Sequence, residues 1–522
     1  MHIPSLRIQQ ICLGKSTQEA VKTPAEVGHL ASMRDCETYR TRMLQSIPPS
    51  IWPEGSVTSY SHPMLVSAGN HINQIKDLQE ALTAAIVSIV ERWWEPKANF
   101  PSRMPLEPYE EDLLIWMAKL PMGMIPPFHQ CLGSWRPDFL IENVPNHSNP
   151  YESCVRFRIC EINARFCWNG FLHTAYGQQA FHDMGAGENG FQGAAHCEEV
   201  SLTESILSSL PANILTGIFS LFDTSKTLHF LKGKEEGIDI GMLAWLVEQR
   251  TGISPRFIRP EDLRLVPSMR GHLGQTLCCV ISDDAKAPTT SSIFHSNGER
   301  LEEIHQVNIE LHQSELRAMP TDILRHLSLR CFNDMRTIFL VHDKRMLGLV
   351  LQELDSLVYQ QKVLTPAQAE ILREGISPTF LPGSAELNQL ITISRIFPNI
   401  RNRFILKPIR SGKGAGILFG DELSPEDWQE KIQGCRCPVI SPNSTSYIVQ
   451  RSIPQPVYDV VSGENCKSKP ARLVGTYFVI NGRYCGLGLW RASRARICAV
   501  SQGASWMCSV FQNSKEIEQS FI

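Results

Sequence analysis

Ile72, Ile75, Leu78, Leu82, Ala85, Ile86, Ile89 and Trp93 recur at steps of three and four, the spacing of one helix face. Pro96 marks the expected stop. Upstream, to about Pro63, no such period shows, and the Pro- and Ser-rich stretch at 47–56 reads as irregular chain. At 155–162, Val155, Phe157 and Ile159 alternate with Arg156, Arg158 and Cys160, which predicts a strand. A helical stretch at 171–181 follows, and then a Gly-rich segment, 185–193, that reads as a linker. Over 203–332, strand-like runs at 227–231, 253–258 and 277–281 alternate with a helix at 237–248, whose Ile238, Met242, Leu243 and Leu246 share a side. That alternation is the signature of an α/β layer. Asn297-Gly298 reads as a hairpin turn. Farther on, one helix is expected from Asp343 as N-cap. Another is expected from Thr365-Pro366, with Gln368 completing a capping box and Gly375 ending it. From Phe404 the chain is mostly strands, at 404–407, 417–419, 447–450, 474–480 and 486–490, with one helix capped by Ser424 and led by Pro425.

Composition narrows the possibilities. The 522 residues carry a net charge of −3 and no basic stripe, which argues against nucleic acid as a partner. No apolar run approaches the ~18–20 residues of a membrane span. Residues 1–15 lack a basic stretch followed by an apolar core, so neither a membrane partner nor a secretory leader is expected and the chain reads as cytoplasmic. The 16 cysteines then read as reduced structural thiols. There is no Cys-x-x-Cys, and Cys278-Cys279 and Cys435-x-Cys437 lack zinc-site spacing.

The strongest chemical signal is 403–420, Arg-Phe-Ile-Leu-Lys-Pro-Ile-Arg-Ser-Gly-Lys-Gly-Ala-Gly-Ile-Leu-Phe-Gly. An apolar strand delivers Lys407 at its end, where Pro408 is expected to stop pairing. Gly412, Gly414 and Gly416 permit tight turns that show N–H groups to an anion, and Lys407, Arg410 and Lys413 add positive charge. The loop enters a strand, not a helix, so it is no Walker-type loop. The His-Arg-Asp and Asp-Phe-Gly tripeptides of a kinase are absent. Taken alone, the segment fits a phosphate cradle or a surface hairpin with incidental lysines. In Cys160-Glu-Ile-Asn-Ala-Arg-Phe166, Glu161 and Asn163 share a face at a strand end. They make a hard-oxygen pair suited to Mg²⁺, although taken alone they read first as a plain polar strand end. Gly185-Ala-Gly-Glu-Asn-Gly190 matches Gly-x-Gly-x-x-Gly, but it follows a helical stretch and lacks the strand–turn–helix setting of a dinucleotide site.

The two segments, in this order, resemble the eukaryotic-type glutathione synthetase family, a circularly permuted ATP-grasp fold. There a Glu-Ile-Asn metal motif precedes a Lys-Pro strand and its Gly-rich loop. Arg136-Pro-Asp-Phe-Leu140 is similar to the family's Arg-x-Asp-Tyr-Met, whose arginine contacts the peptide substrate. Tyr447-Ile-Val-Gln-Arg-Ser-Ile453 is similar to the strand that reads the adenine edge. Trp490-Arg-Ala-Ser-Arg494 resembles Leu-Arg-Thr-Lys, and Ser501-Gln-Gly-Ala-Ser505 resembles the small-residue loop over the site. His342-Asp-Lys344 stands where the family has a further ATP-contacting lysine. The likeness spans roughly residues 130–510.

The resemblance implies an α+β and α/β chain. Its ATP-grasp body, of antiparallel sheets with flanking helices, takes 1–202 and 333–522, and a three-layer α/β/α substrate domain is inserted at 203–332. It implies an ATP- and Mg²⁺-dependent ligase that joins a small carboxylate to an amine through an acylphosphate. Lys407 and Arg491 would be catalytic. Lys344, Lys407, Ser411, Gly412, Lys413, Gly414, Gly416, Val449, Gln450 and Arg494 would hold the nucleotide, Val449 through its backbone. Arg136, Arg165, Arg491, Gly503 and Ala504 would hold substrate, and Glu161, Asn163 and Asp421 the metal. Arg410 and Arg496 would add charge toward the same nucleotide. A homodimer follows from the family alone.

Departures matter too. Ser411 stands where the family's loop begins with a metal-binding glutamate, so a hydroxyl with water, Asp421 or Glu422 would have to serve. Lys413 and Ala415 replace Gly and Asn. Arg165, Phe166 and Trp168 replace small serines near the substrate, which argues for a specialised metabolite over γ-glutamylcysteine. A nucleotide binder without turnover, a phosphotransferase and a thiol-rich scaffold remain as alternatives.

Overall fold

The alternating run at 155–162 becomes the strand Ser153–Asn163, paired antiparallel with Ser134–Pro145. In the computed structural model these two strands edge the largest sheet. Its order is Gln9–Gln10, Met64–Ser67, Ser505–Gln512, Arg483–Ser493, Lys467–Ile480, Ser134–Pro145, Ser153–Asn163. Every pairing along that path is antiparallel except Met64–Ser67 with Ser505–Gln512. The structure describes residues 8–12, 23–54, 59–62, 64–67, 71–145, 153–165, 168–184, 191–193, 212–235, 237–269, 274–282, 291–440, 445–462 and 467–512. Gly185–Gly190 and Phe166 lie outside them.

The helical stripe forms the helix Asn73–Glu91, which buries Ile75, Leu78, Leu82, Ala85, Ile86 and Ile89. It ends before Pro96, in turns closed by Glu95 N–H on Arg92 O, and Trp93 is buried. The helix Pro366–Gly375 packs against it. Gln368 N–H donates to Thr365 Oγ1 at 3.2 Å while Gln368 Oε1 accepts from Thr365 N–H at 2.9 Å, which closes the capping box. Gly375 lets the two helices touch: a Cβ there would sit 2.3 Å from Leu78 Cδ1.

A second antiparallel sheet, ordered Thr379–Phe380, Tyr447–Arg451, Phe404–Pro408, Leu418–Phe419, carries the Lys407 strand. The helices Ala385–Ile396 and Pro425–Gly434 cover it, packing Leu387, Leu390, Ile391, Trp428 and Ile432 on Leu406 and Val449. Pro408 does not end the pairing outright. It lies opposite Tyr447, and Ile409 N–H still donates to Ser446 O at 3.1 Å.

The middle of the chain forms two further sheets. One is parallel, ordered Val307–Glu310, His229–Lys232, Arg256–Ile258, with the helix Ile240–Thr251 as crossover. The other is antiparallel, ordered Ile293–Ser296, Glu299–Glu303, Gln275–Val280, Leu263–Pro267. Asn297 and Gly298 both take positive φ, 51° and 79°, as a two-residue hairpin turn requires.

Two expectations are corrected. The chain before Pro63 is not irregular throughout, because His29–Gln45 is a helix. Its buried face is Ser32, Cys36, Tyr39 and Met43, at helical steps, but a serine and a cysteine dilute the apolar stripe. Asp343 is not an N-cap either. The helix Arg345–Asp355 grows out of a π-turn, Thr337–Val341, and the Asp343 carboxylate accepts from Arg345 N–H and Arg410 Nε, each at 2.9 Å.

Candidate active site

A cleft of about 460 Å³ opens between the two antiparallel sheets. The large sheet contributes Asp138, Glu161, Arg472 and Arg491 to its walls, and the small sheet contributes Ile405 and Lys407. Lys344, the loop residues Ser411, Lys413 and Gly414, and Asp421 and Arg496 complete the charged lining.

Lys407 is only 5% exposed, and its Nζ donates to Cys160 O at 3.4 Å. That carbonyl also accepts from Gln450 Nε2 at 3.3 Å, and Gln450 is held by Thr379 Oγ1 at 2.9 Å. Gln450 thus sits behind the lysine instead of on the cleft wall. Lys344 Nζ donates to Ser411 O at 2.7 Å and lies 3.2 Å from Glu161 Oε2, tying the loop to the carboxylate. Arg491 pairs with Asp138, and Arg136 Nε lies 3.4 Å from the same carboxylate.

Asp138 and Glu161 face each other across the strand register, beside a bulge. Their ionisation runs in opposite directions. Burial would raise Glu161, but Lys344, Lys407 and Arg491 outweigh it and hold the carboxyl well below the usual range. Burial raises Asp138 against the pull of Arg491 and Arg136, and the charge of Glu161 adds to the rise. Burial also pushes the Cys160 thiol up to about 11, so it stays protonated. It holds His342 well below its ordinary value, with Arg165 and Lys344 adding to the effect, so that imidazole is neutral. Asp138 Oδ1 has no hydrogen-bond partner among the described residues. Asp138 and Glu161 together make a hard-oxygen donor set that suits Mg²⁺. Asn163 is placed beside them but off the cleft wall, its Nδ2 donating to Arg136 O at 3.4 Å.

The Gly-rich loop is held from both sides. Lys413 takes a left-handed φ of 56°, its Nζ reaches Glu235 Oε1 at 3.0 Å, and its carbonyl accepts from Gln502 Nε2 at 3.1 Å. Gly414 has φ 74°, and a Cβ there would lie 2.3 Å from Ile497 Cγ2. Gly416 lies next to Pro408, and around Gly412 the space is open.

Other sequence-selected residues are placed elsewhere. Val449 lies between Phe380 and Leu406 in an interior strand, so its backbone groups face neighbouring strands, and Ser452, Ile453, Pro454 and Gln455 line the cleft beyond it. Arg494 is exposed and off the wall, and its carbonyl accepts from Arg472 Nη1 at 3.2 Å. Arg496 is on the wall, 3.7 Å over the Phe419 ring and paired with Asp421 at 2.7 Å, so Asp421 is already engaged by a cation. Arg136 Nη1 donates to Asn169 O at 3.1 Å, and buried Arg165 donates to Gln313 Oε1 at 2.6 Å. Exposed Gly503 and buried Ala504 follow the turn Val500–Gln502, whereas Ala499 before it lines the cleft. Asp138 and Arg472 escaped the sequence reading. Asp138 stood in the quoted Arg-Pro-Asp segment, two residues from Arg136, and was the available signal. Arg472 reaches the site through its pairing with Ser493, which no local pattern shows.

Residues 78–340 match the model of the AnkG N-terminal domain. A relative from Aspergillus thermomutatus, the ATP-grasp enzyme ankG, is 33% identical over 499 residues, covering 94% of this chain and 97% of its own. The chain belongs to the family of the ATP-grasp enzyme ankG. The ATP-grasp resemblance of the sequence motifs thus has a full-length counterpart in a family member. A solved structure, the apo form of a glutathione synthetase-like effector from Globodera pallida, superposes with a TM-score of 0.47 at 12% identity, covering 93% of this chain and 97% of that one. No described helix is long and apolar enough to cross a membrane.

Proposed function

We propose that the chain is an ATP-dependent carboxylate–amine ligase. One juxtaposition carries this reading: Lys344, Lys407, Arg491 and Arg496 ring a cleft that also holds Asp138 and Glu161, under a loop whose backbone needs glycine. Converging cations call for a polyanion, and paired carboxylates call for a divalent metal. Mg-ATP supplies both, and membership of the ankG family supports the choice. Lys344, Lys407 and the loop N–H groups hold phosphates, and Glu161 with Asp138 would hold Mg²⁺, which would supply further positive charge for the polyphosphate. Arg491, kept in place by Asp138, orients the substrate carboxylate. A carboxylate oxygen attacks the γ-phosphorus, the bond to the β-phosphate oxygen breaks, and ADP leaves. The amine nitrogen then bonds to the acyl carbon, phosphate departs and the amine loses a proton. The segment 203–332 is the proposed substrate insertion. The substrates are small molecules; Arg165 and Trp168, buried where smaller residues were expected, are not part of the cleft wall.

Nucleotide binding without turnover is favoured by one observation. Ser411 offers no carboxylate, and each acid on the cleft wall already faces a cation, Asp421 with Arg496, Asp138 with Arg491 and Glu161 with Lys344. A panel of acids and amines with Mg-ATP decides, read by ADP release and by mass spectrometry of products. ADP release that requires both an acid and an amine, with a new amide, is the expected result. Bound ATP without ADP release favours the second reading, and a phosphorylated product without an amide overturns the ligase.

A further inference from the structure

The tip of the Gly-rich loop is a tight turn, closed by Ala415 N–H on Gly412 O at 3.0 Å. Its two central residues, Lys413 and Gly414, both take positive φ, 56° and 74°. Glycine, asparagine and aspartate are the ordinary occupants of such a pair of positions, and a long side chain there is strained. Nothing in the backbone asks for a lysine. Packing does not ask for one either, because the Lys413 side chain is 62% exposed. What the side chain does is reach out of the loop. Its Nζ lies 3.0 Å from Glu235 Oε1 and 3.1 Å from Oε2, so it faces both oxygens of one carboxylate.

Lys413 is on the cleft wall and Glu235 is not. Glu235 follows the strand His229–Lys232, in the segment 203–332 proposed as the substrate insertion, and its side chain is 17% exposed. His312 Nε2, just past the neighbouring strand Val307–Glu310, lies 3.3 Å from Glu235 Oε2. The carboxylate is thus set by its own sheet, and the loop comes to it. On the cleft side the loop is anchored through Ser411 O, which accepts from Lys344 Nζ at 2.7 Å, and through Lys413 O, which accepts from Gln502 Nε2 at 3.1 Å. Lys407, by contrast, donates to a carbonyl at the cleft edge.

We propose that Lys413 is a positioning residue: paired with Glu235, it fastens the Gly-rich loop to the inserted segment and so sets how long the cleft retains Mg-ATP. The proposal rests on the ATP reading of the cleft given above. The charge at 413 then matters through Glu235 and not through a phosphate. A pair as exposed as this one is weak, so its loss lets the loop open more often and leaves the site intact.

The test uses the full chain and a fluorescent N-methylanthraniloyl-ATP with Mg²⁺, released by a chase of excess Mg-ATP. Glu235→Gln and Lys413→Met should each speed release about threefold, and the double variant no more than either alone. Exchanging the charges, with Glu235→Lys and Lys413→Glu together, should bring release back toward the wild-type rate. A lysine that holds phosphate predicts the reverse, because Lys413→Glu would then repel the nucleotide whatever stands at 235. Failure of the exchange to restore release, additive effects in the double variant, or unchanged release in both single variants overturns the proposal while the ATP reading stands. An analogue that the wild type does not bind overturns both.

Discussion

Lys407 and Arg410 stand three residues apart at the end of one strand, yet their surroundings differ in kind. Lys407 points at a backbone carbonyl and at the edge of an open cleft. Arg410 is clamped between Glu110 at 2.6 Å and Asp343 at 2.9 Å, and Asp343 is held in turn by Arg345 at 2.8 Å. Burial would lower the Arg410 guanidinium and raise the Asp343 carboxyl. The facing charges outweigh it in both, holding Arg410 above its ordinary value and Asp343 below. Arg410 belongs to a group of charges that closes on itself, whereas among the described residues the Lys407 ammonium donates only to a carbonyl at the cleft edge. A cation's place in the sequence therefore says less about ligand binding than whether the chain supplies its counterions.

Breaking the closed group has the largest predicted effect on stability. Arg410→Met leaves Glu110 and Asp343 buried without their shared cation and should cost about 3–5 kcal/mol in denaturant unfolding. A loss below about 1 kcal/mol would remove the distinction. On the open side, the loop is the next place to press. Gly414→Ala puts a Cβ against Ile497 at a left-handed φ, while Gly412→Ala meets no atom within 4 Å. The first should cost roughly 1–3 kcal/mol of kcat/KM for ATP and the second little. Equal effects would mean that the loop's shape does not matter. The smallest effect concerns two buried imidazoles. His71, packed on Phe157, is lowered by burial to about 4, and His342 beside the cleft is also held low. Each is neutral when folded but protonates on unfolding below about 6.5, so Tm should fall as pH drops from 6.5 toward 4. His71→Phe should blunt that fall, and an unchanged profile would show that the imidazole is not the source.

Much of the frame was legible in sequence. The stripe from Ile72 to Trp93, the alternation around Phe157 and the Thr365 box each encode a local geometry that tertiary packing kept. The helix His29–Gln45 was not legible, because its buried face mixes serine and cysteine with Tyr39 and Met43. The cleft was half legible. Lys407, Glu161 and Lys344 announce themselves by motif, whereas Asp138 and Arg472 gain their places from strand pairing between distant segments. Arg410 and Arg494 looked equivalent to their neighbours because sequence records charge but not the direction in which a side chain leaves its strand.

The most direct test is a thermal shift with Mg-ATP on the wild type and Lys407→Met. If Lys407 faces the cleft to hold phosphate, Mg-ATP raises the wild-type Tm and leaves the variant's Tm unmoved, while the two proteins unfold at similar temperatures without ligand. An equal Mg-ATP shift in both would contradict the assignment of this cleft to the nucleotide.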